Sequence, residues 1–226
     1  MGTLASNRKG FITGASASSY SAALEATTGT VSDSQTTTQT AIQYFQSSGR
    51  GGGTFRFIRT FLHFNTSGIS GGSSFQLQLT SGTSTSGSGS NIQAIKHTAG
   101  SSNGSALSSG DFDNIDRSTT YSSSTSFGAS TTVTISLNAA AASQIINNND
   151  FNVALVLEHD VNAEEESPLG EDGDITNQIA FGSAINLTYT DPVTGYGHKV
   201  NAVASANIGK VNTVATASIG KINTVD

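Results

Sequence analysis

Apolar and polar side chains alternate in several short segments of this chain, as they do in β-strands with one buried face. Residues 75–79 read Phe-Gln-Leu-Gln-Leu, and residues 133–137 read Val-Thr-Ile-Ser-Leu. A third alternation runs through residues 179–189 and is interrupted near Gly182, which predicts a bulge or a turn at that glycine. These three segments therefore predict half-buried strands.

Two other segments are apolar at nearly every position. Residues 55–64 and 151–157 carry apolar side chains on both strand faces, which predicts central strands that are covered on both sides. Between the predicted strands at 133–137 and 151–157, Asn138 precedes an alanine-rich segment that extends to residue 146. Because Asn is a favoured N-cap, this segment predicts one short helix, and the Asn-Asn-Asn-Asp cluster at 147–150 ends it.

The segments between residues 41 and 190 predict about eight short strands joined by turns rich in Ser, Gly and Thr. We therefore predict an all-β fold, a jelly-roll-type β-sandwich with one short helix. Residues 1–40 are small and polar with scattered apolar positions, and they predict an N-terminal arm that does not fold alone and that a neighbouring subunit holds. Residues 191–226 form a C-terminal repeat segment.

The C-terminal segment repeats with a period of eleven residues. VNAVASANIGK at 200–210 is followed by VNTVATASIGK at 211–221 and by the partial copy INTVD at 222–226. On a helix this period equals about 3.67 residues per turn, which keeps an apolar stripe on one face. We predict that this stripe serves oligomerisation or docking through Val200, Val203, Ile208, Val211, Val214, Ile219, Ile222 and Val225.

The conformation of the repeat stays open at this point. Val, Ile, Thr, Asn and Gly are weak helix formers, so a single helix of this sequence is marginal in water. The repeat would be helical in a bundle around a symmetry axis, or extended and docked on a partner. A disordered tail that carries a duplicated segment is the third alternative.

Composition and charge exclude several classes of function. Hydrophobic residues make up 35% and charged residues 12%, and the net charge is −6. This balance gives no general attraction to nucleic acid or to an anionic membrane, and no apolar run approaches the ~18 residues of a membrane span. Residues 1–14 lack the apolar core of a secretion signal, which predicts that the chain is made and kept in a host cytoplasm before assembly. There is no cysteine, so disulfides are excluded.

Enzyme motifs are missing, and we predict that the chain is not an enzyme and holds no cofactor. Its four histidines are scattered without metal-ligand spacing. Residues 158–174 hold eight of the sixteen acids with no Lys or Arg among them, which favours a solvated loop. Asp111, Asp113 and Asp116 form a smaller acidic group. Structural calcium is the alternative for both groups, because calcium prefers oxygen-rich loops.

Four side chains near the first central strand are candidates for binding a glycan. Arg50, Arg56, Arg59 and Tyr44 would line a sugar-binding face of the sheet. The other interpretation is that these arginines form ion pairs across the sheet edge.

Two segments carry a resemblance to known families. RTFLHFNTSGI at 59–69 resembles the jelly-roll domains of surface and phage proteins of the DNRLRE-like type, and the likeness covers residues 41–190. The tail from Tyr196 onward is similar to the C-terminal repeats of phage virion proteins, with Ala202, Thr213 and Thr224 where those repeats often have glycine. The resemblance implies a capsid-decoration, head-fibre or tail-associated role, and it supplies no catalytic residues.

The predicted function is therefore that of a phage virion structural protein that acts through assembly and surface display. The alternative is a carbohydrate-binding or host-adhesion module. The predicted partners are further copies of the chain, with a trimer as one form, other virion proteins and a host-surface glycan. Neither nucleic acid nor a membrane is predicted as a partner, and the predicted location is the virion.

Overall fold

The computed structural model describes most of the chain. The described residues are 1–33, 38–45, 54–85, 91–100, 105–127, 132–163, 175–192, 210–211 and 214–215. The chain divides into two compact units, Met1–Thr190 and Asp191–Asp226.

Strands dominate the described part of the chain, and its helices are short. The strands are β1 (Gly2–Ala5), β2 (Arg8–Gly14), β3 (Gly29–Ser32), β4 (Thr38–Phe45), β5 (Thr54–Asn65), β6 (Ser73–Thr85), β7 (Asn91–His97), β8 (Ile115–Thr120), β9 (Thr125–Ser126), β10 (Thr132–Ser136), β11 (Asp150–Leu157), β12 (Ile175–Thr190), β13 (Lys210–Val211) and β14 (Val214–Ala215). The helices are α1 (Tyr20–Leu24), α2 (Ala139–Asn147), α3 (Glu158–Asn162) and a 3₁₀ helix, Ser109–Asp113.

The first unit is a two-layer sandwich of antiparallel strands. The first layer contains β10, β6, β12 and β4 in that order, with β1 beside the C-terminal half of β12. The second layer contains β5, β11, β7 and β8 in that order. On the other edge of β5 lie β2 and then β3, and β9 pairs with the start of β7. Because β4 also pairs with the N-terminal part of β5, the two layers are joined at that corner.

Apolar side chains from the two layers meet in one buried cluster. Leu77 and Leu79 of the first layer and Phe64, Phe151 and Leu155 of the second are all 0% exposed. The alternation that predicted a half-buried β6 places its leucines in this core and its glutamines outside. The prediction of an all-β sandwich is therefore confirmed.

The second layer is covered on its other face as well. Phe57 and Phe61 of β5 pack there against Tyr20 and Leu24 of α1 and Phe112 of the 3₁₀ helix, forming a second buried cluster. Burial on both faces explains why β5 is apolar at nearly every position, as a strand covered on both sides should be.

The predicted helix after Asn138 is present as α2. The Asn138 side chain accepts a hydrogen bond from the backbone N–H of Ala141 at 3.1 Å, which caps the first turn. The predicted irregularity near Gly182 is also present, because the register of β12 against β6 shifts between Phe181 and Ile185. Both features depend on local sequence alone, and the sequence was sufficient to predict them.

Residues 1–33 differ from the predicted arm of residues 1–40. They form β1, β2, α1 and β3 within the same compact unit as the sandwich. β1 pairs with β12 of the first layer and β2 with β5 of the second, so the start of the chain crosses from one layer to the other. The N-terminal segment is thus a structural part of its own sandwich.

The pattern of β2 explains why its sequence did not predict a strand. The three positions of β2 that face the second cluster are Gly10, Ile12 and Gly14, so the apolar alternation is reduced to one side chain. A Cβ atom on Gly14 would lie 2.4 Å from the Phe112 ring, and one on Gly10 would lie 2.8 Å from Leu107. Leu107 and Phe112 therefore occupy the space above β2 that larger side chains of the strand itself would otherwise fill.

In the described part of the chain, no helix combines the length and the apolar character required to cross a bilayer.

Candidate functional site

Two of the eight predicted oligomerisation or docking residues lie in the described part of the C-terminal unit. Val211 of β13 and Val214 of β14 are direct partners in an antiparallel pair, and Lys210 pairs with Ala215. The backbone is therefore extended at these four residues, as the extended alternative for the repeat requires. The other six residues lie outside the described part, namely Val200, Val203, Ile208, Ile219, Ile222 and Val225.

A buried ion pair joins β5 to α3. The Nε atom of Arg59 donates to Oδ2 of Asp160 at 2.7 Å, and Nη2 donates to Oδ1 at 2.9 Å. The side chains are 0% and 2% exposed. Two parallel N–H···O bonds of this kind are the strong, geometrically specific form of an arginine–carboxylate contact. In an interior of low dielectric constant, each charge depends on the other for its stability.

The remaining donors of Arg59 bind backbone carbonyls of two covering elements. Nη1 donates to the Phe112 carbonyl at 2.8 Å, and Nη2 donates to the Leu24 carbonyl at 3.1 Å. The guanidinium carbon also lies 4.0 Å from the centre of the Phe112 ring, in cation–π geometry. One side chain of β5 therefore holds α1, the 3₁₀ helix and α3 against the second layer.

Arg117 of β8 is a second cation on the same carboxylate. Its Nη2 atom donates to Oδ1 of Asp160 and to the Leu24 carbonyl, each at 3.1 Å, and its Nε atom donates to the Asp160 carbonyl at 2.9 Å. The side chain of Arg117 is 28% exposed, so water weakens its share of the interaction. Asp160 is thus a single anion that is shared by two arginines from different strands.

This network changes two interpretations made from the sequence. Asp160 belongs to the acidic segment 158–174, which predicted a solvated loop, but its carboxylate is buried against arginines of β5 and β8. Arg59 was a candidate for a sugar-binding face or for an ion pair across the sheet edge, and the structure instead shows a buried ion pair with α3. Arg56 is half-buried, and the side chains of Arg50 and Tyr44 lie outside the described part.

His97 is enclosed at the end of β7 and is 1% exposed. The backbone N–H of Ala99 donates to Nδ1 at 3.2 Å, and Nε2 lies 3.0 Å from the Leu62 carbonyl. Because Nδ1 accepts, the proton is on Nε2 and the ring is neutral. Burial lowers the pKa of His97 to about 4, and the nearby His63 lowers it further against the opposing effects of the Leu62 carbonyl and Asp111. Sequence spacing did not reveal this site.

His63 lies on the same sheet face, two strands away. Its Nε2 atom is 2.8 Å from Oδ1 of Asp150, and its Nδ1 atom is buried without a hydrogen-bond partner. The register places His63 directly beside Asn152, whose Oδ1 atom is also buried without a partner. His63, Asp150 and Asn152 therefore form a polar group at this end of β5 and β11.

The smaller acidic group does not converge on one point. Asp111 is buried and accepts hydrogen bonds from the backbone of Gly100 and Ser108 and from the Asn114 side chain, at 2.7–2.9 Å. Burial alone would raise the pKa of Asp111, but these hydrogen bonds together outweigh it and hold the pKa below the ordinary value. Asp113 is exposed, and Asp116 bonds to the backbone N–H of Ser118. Within the described ranges, no three acids or histidines lie close enough together to bind a metal ion.

The first layer of the sandwich is uncharged. Its strands β1, β4, β6, β10 and β12 contain no Asp, Glu, Lys, Arg or His. On its outer face the registers form two rows of small or polar residues, which are Ser136–Gln76–Thr188–Thr3 and Thr134–Gln78–Asn186–Ala5. Thr188 is the buried member of these rows, at 3% exposed. Within the first unit, the charged residues of the described strands are all in the second layer, so the two outer surfaces of the sandwich differ in charge.

A shallow depression of about 360 Å³ lies beside β2 and β3. Its lining is Thr13, Ala15, Thr28, Gly29, Thr30 and Ser109. None of these side chains is an acid or a base, so the depression offers hydroxyl groups and backbone atoms only. No protein-family model matches the chain, and no curated protein matches its sequence.

Proposed function

We propose that the chain is a structural protein of a bacteriophage particle, in a capsid-decoration, head-fibre or tail-associated position. It acts by assembling with further copies and with other virion proteins, and by displaying its sandwich on the particle surface. The observation that carries the proposal is the eleven-residue repeat, which lies in a compact unit of its own after Thr190. The resemblance of residues 59–69 and of the repeat to phage proteins supports the same function.

The surface of the sandwich supports the proposal that the repeat, and not the sandwich, provides the apolar surface for assembly. Among the described residues, Met1 is the one large hydrophobic side chain that is exposed, at 82%. The described side chains of the sandwich therefore offer no apolar patch of the kind that marks a protein interface. The apolar stripe of the repeat is the part of the chain whose burial requires a partner, at roughly 25 cal/mol per Å² of apolar surface.

We predict that assembly is lost when the stripe is interrupted. The full chain, of 23.0 kDa, should have the solution mass of a trimer or larger by light scattering. The variant Ile208→Asp with Ile219→Asp, and a chain that ends at Asp191, should each form smaller species, because buried unpaired carboxylates oppose packing of the stripe. Measurement with and without EDTA shows whether calcium contributes.

The matched control is Ser205→Asp with Thr216→Asp. These positions are also eleven residues apart and receive the same two charges, but they lie off the predicted stripe. The control should keep the mass of the full chain. Equal masses for the stripe variant and the full chain would contradict the proposal.

The uncharged outer face of the first layer favours a second candidate, which is binding of a neutral host-surface glycan. Hydroxyl and amide groups in regular rows can exchange hydrogen bonds with sugar hydroxyls without the cost of burying a charge. We expect the full chain to bind neutral glycans on an array, and the variant Gln76→Ala with Gln78→Ala to lose about tenfold in affinity, since two side-chain hydrogen bonds are removed. Binding that the variant retains in full would place the glycan elsewhere.

A further inference from the structure

We infer that a single water molecule is bound in the second layer, between the side chains of His63 on β5 and Asn152 on β11, and that Arg8 on β2 completes its site. The three residues form one row across neighbouring strands, because His63 is paired with Arg8 on one side and with Asn152 on the other. The site belongs to the sandwich and not to the repeat, so the inference goes beyond the proposed function.

Each side chain of this row has a buried polar atom for which no described group of the protein is a hydrogen-bond partner. These atoms are Nδ1 of His63, Oδ1 of Asn152 and Nε of Arg8. His63 is 5% exposed, so its ring is shielded from bulk solvent. Burying a polar atom without a partner is costly, and folded proteins satisfy nearly all such atoms with protein groups or ordered water. Three of these atoms in one row therefore indicate a common ligand.

His63 and Asn152 form the kind of cross-strand pair in which side chains lie closest. The backbone N–H of Thr66 donates to the Asn149 carbonyl at 2.7 Å, and this bond continues the register of β5 with β11. Hydrogen-bonded and non-hydrogen-bonded pairs alternate along an antiparallel ladder, so His63 and Asn152 are a non-hydrogen-bonded pair, with Cα atoms about 4.5 Å apart. Their side chains project from the same face of the sheet, side by side.

Both polar atoms of this pair are acceptors, so they cannot bind each other. Nε2 of His63 lies 2.8 Å from Oδ1 of Asp150, which places the ring proton on Nε2 and leaves Nδ1 of the neutral ring as an acceptor. A ligand between Nδ1 of His63 and Oδ1 of Asn152 must therefore donate twice, as water does. Two hydrogen bonds of about 2.8 Å to one tetrahedral water span about 4.6 Å, which matches the Cβ separation of about 4.5–5.5 Å in such a pair.

The third atom of the row is a donor for the oxygen of the water. Nη2 of Arg8 is bound to Asp33, and Nε remains as a buried donor. A water that donates to His63 and Asn152 and accepts from Arg8 has the about three hydrogen bonds that are typical of buried water. A metal ion would instead face the positive charge of Arg8, and within the described ranges no three acids or histidines lie close enough together to bind one. The donor and acceptor groups of the row therefore select water.

This water would hold the start of β2 against the rest of the second layer. β2 begins at Arg8, and Gly10, Ile12 and Gly14 are its residues on the buried face, so it has few side chains of its own to anchor it. Hydrogen bonds from the water to β5 and β11 add an attachment at the first residue of the strand. The bound water is therefore expected to slow the local opening of β2.

A crystal structure of the full chain in which ordered waters are resolved tests the site directly. One water should lie within about 3.2 Å of both Nδ1 of His63 and Oδ1 of Asn152. The His97 ring is the internal control and should bind no water, because its two nitrogens lie at hydrogen-bond distance from the Leu62 carbonyl and the Ala99 N–H. A direct hydrogen bond between His63 and Asn152 would overturn the inference. So would the two atoms lying apart with no water between them.

Replacement of Asn152 by Leu tests the effect of the water on β2 in solution. Leucine has the branched shape of asparagine without its polar atoms, so Asn152→Leu should expel the water and leave Nδ1 of His63 unsatisfied. Hydrogen exchange of the backbone amides of residues 8–10, measured by mass spectrometry on the full chain, should become about tenfold faster.

The matched control is Asn65→Leu. Asn65 lies two positions along β5 from His63 on the same face, and its Oδ1 atom accepts hydrogen bonds from Ser67. This control should change the exchange of residues 8–10 by less than about twofold. Equal exchange in the two variants would contradict the inference. If Asn152→Leu does not fold, the crystal structure of the unsubstituted chain decides the question.

This test is separate from the test of the proposed function. Ile208→Asp and Ile219→Asp lie in the second unit, so the water and the exchange of residues 8–10 should be the same with and without them. The result at His63 and Asn152 therefore stands whether or not the repeat assembles.

Discussion

Replacement of Asp160 by Asn is expected to destabilise the sandwich unit by about 3–5 kcal/mol, since removing one partner of a buried ion pair leaves the other charge uncompensated. Arg59 is 0% exposed and would keep its charge without an anion. Arg117 would lose the same partner, although its exposure lets water replace part of the interaction. A loss of this size is a large fraction of the ~5–15 kcal/mol that separates folded from unfolded states in most domains.

The measurement is the urea midpoint of unfolding for the full chain and its variants, followed by fluorescence of the tyrosines or by circular dichroism. Asp113→Asn is the matched control, because Asp113 is exposed in the 3₁₀ helix and loses the same charge. It should change the free energy of unfolding by less than about 0.5 kcal/mol. If Asp160→Asn costs no more than Asp113→Asn, the ion pair does not hold the covering helices as described.

A double variant tests whether the cost comes from the unpaired charge. Arg59→Leu combined with Asp160→Leu removes both buried charges, and its cost should be clearly smaller than the sum of the two single substitutions. Full recovery is not expected, because the Phe112 carbonyl would lose its donor and the Leu24 carbonyl would lose one of its two donors. This non-additivity distinguishes a paired-charge effect from a loss of packing.

The parts of the fold that were predictable have a local signature in the sequence. β6 and β10 alternate residue by residue, and α2 begins at a capping asparagine, so each element can be identified without its neighbours. β5 was also predictable as a central strand, because a strand buried on both faces needs apolar residues throughout. In each of these elements, the apolar positions of the segment are the positions that the fold buries.

β2 shows where this reasoning fails. Its inward positions are Gly10, Ile12 and Gly14, and the volume above the glycines is filled by Leu107 and Phe112 from distant segments. No pattern within residues 8–14 contains that information. The segment therefore resembles a flexible arm in sequence, although it pairs with β5 along its length.

The Arg59–Asp160 pair was hidden for a similar reason. Its partners are 101 residues apart, and Asp160 lies in an acidic segment whose composition indicates a solvated loop. One signal was present, because an arginine in the middle of a strand that is apolar on both faces needs a buried acid. The identity of that acid depends on the path of the chain, which a single sequence does not provide.

The distribution of charge links the fold to assembly. The second layer carries the charged residues of the sandwich strands that the structure describes, and it is held to its covering helices by Arg59, Asp160 and Arg117. The strands of the first layer have no charged residue, and the side chains of Thr132, Thr134 and Ser136 of β10 are exposed. This distribution suits a protein whose second layer carries the stabilising ion pairs and whose first layer binds other molecules.

The stability of the sandwich is expected to decrease as the pH falls from 6.5 towards about 4, because of His97. Burial lowers the pKa of this histidine from 6.5 to about 4 in the folded chain, while in the unfolded chain it keeps its ordinary value. Above pH 6.5 the ring is neutral in both the folded and the unfolded chain, so protonation of His97 does not reduce the free energy of unfolding there. Between the two values the unfolded state binds the extra proton, so stability falls by up to about 1.4 kcal/mol per pH unit, or about 3 kcal/mol in all.

His97→Gln isolates this effect from the titration of the carboxylates. A glutamine can still donate to the Leu62 carbonyl and accept from the Ala99 N–H, as the two ring nitrogens do, but it does not titrate. The free energies of unfolding from urea titrations at pH 7, 6, 5 and 4 should therefore fall more steeply for the wild-type chain than for the variant. The variant is expected to be less stable at pH 7, because it loses the edge-to-face contact between the His97 ring and Phe61, but its relative deficit should shrink as the pH falls. Parallel curves from pH 7 to pH 4 would mean that His97 opens to solvent before the sandwich unfolds, and that its buried neutral state does not contribute to the cooperative stability of the fold.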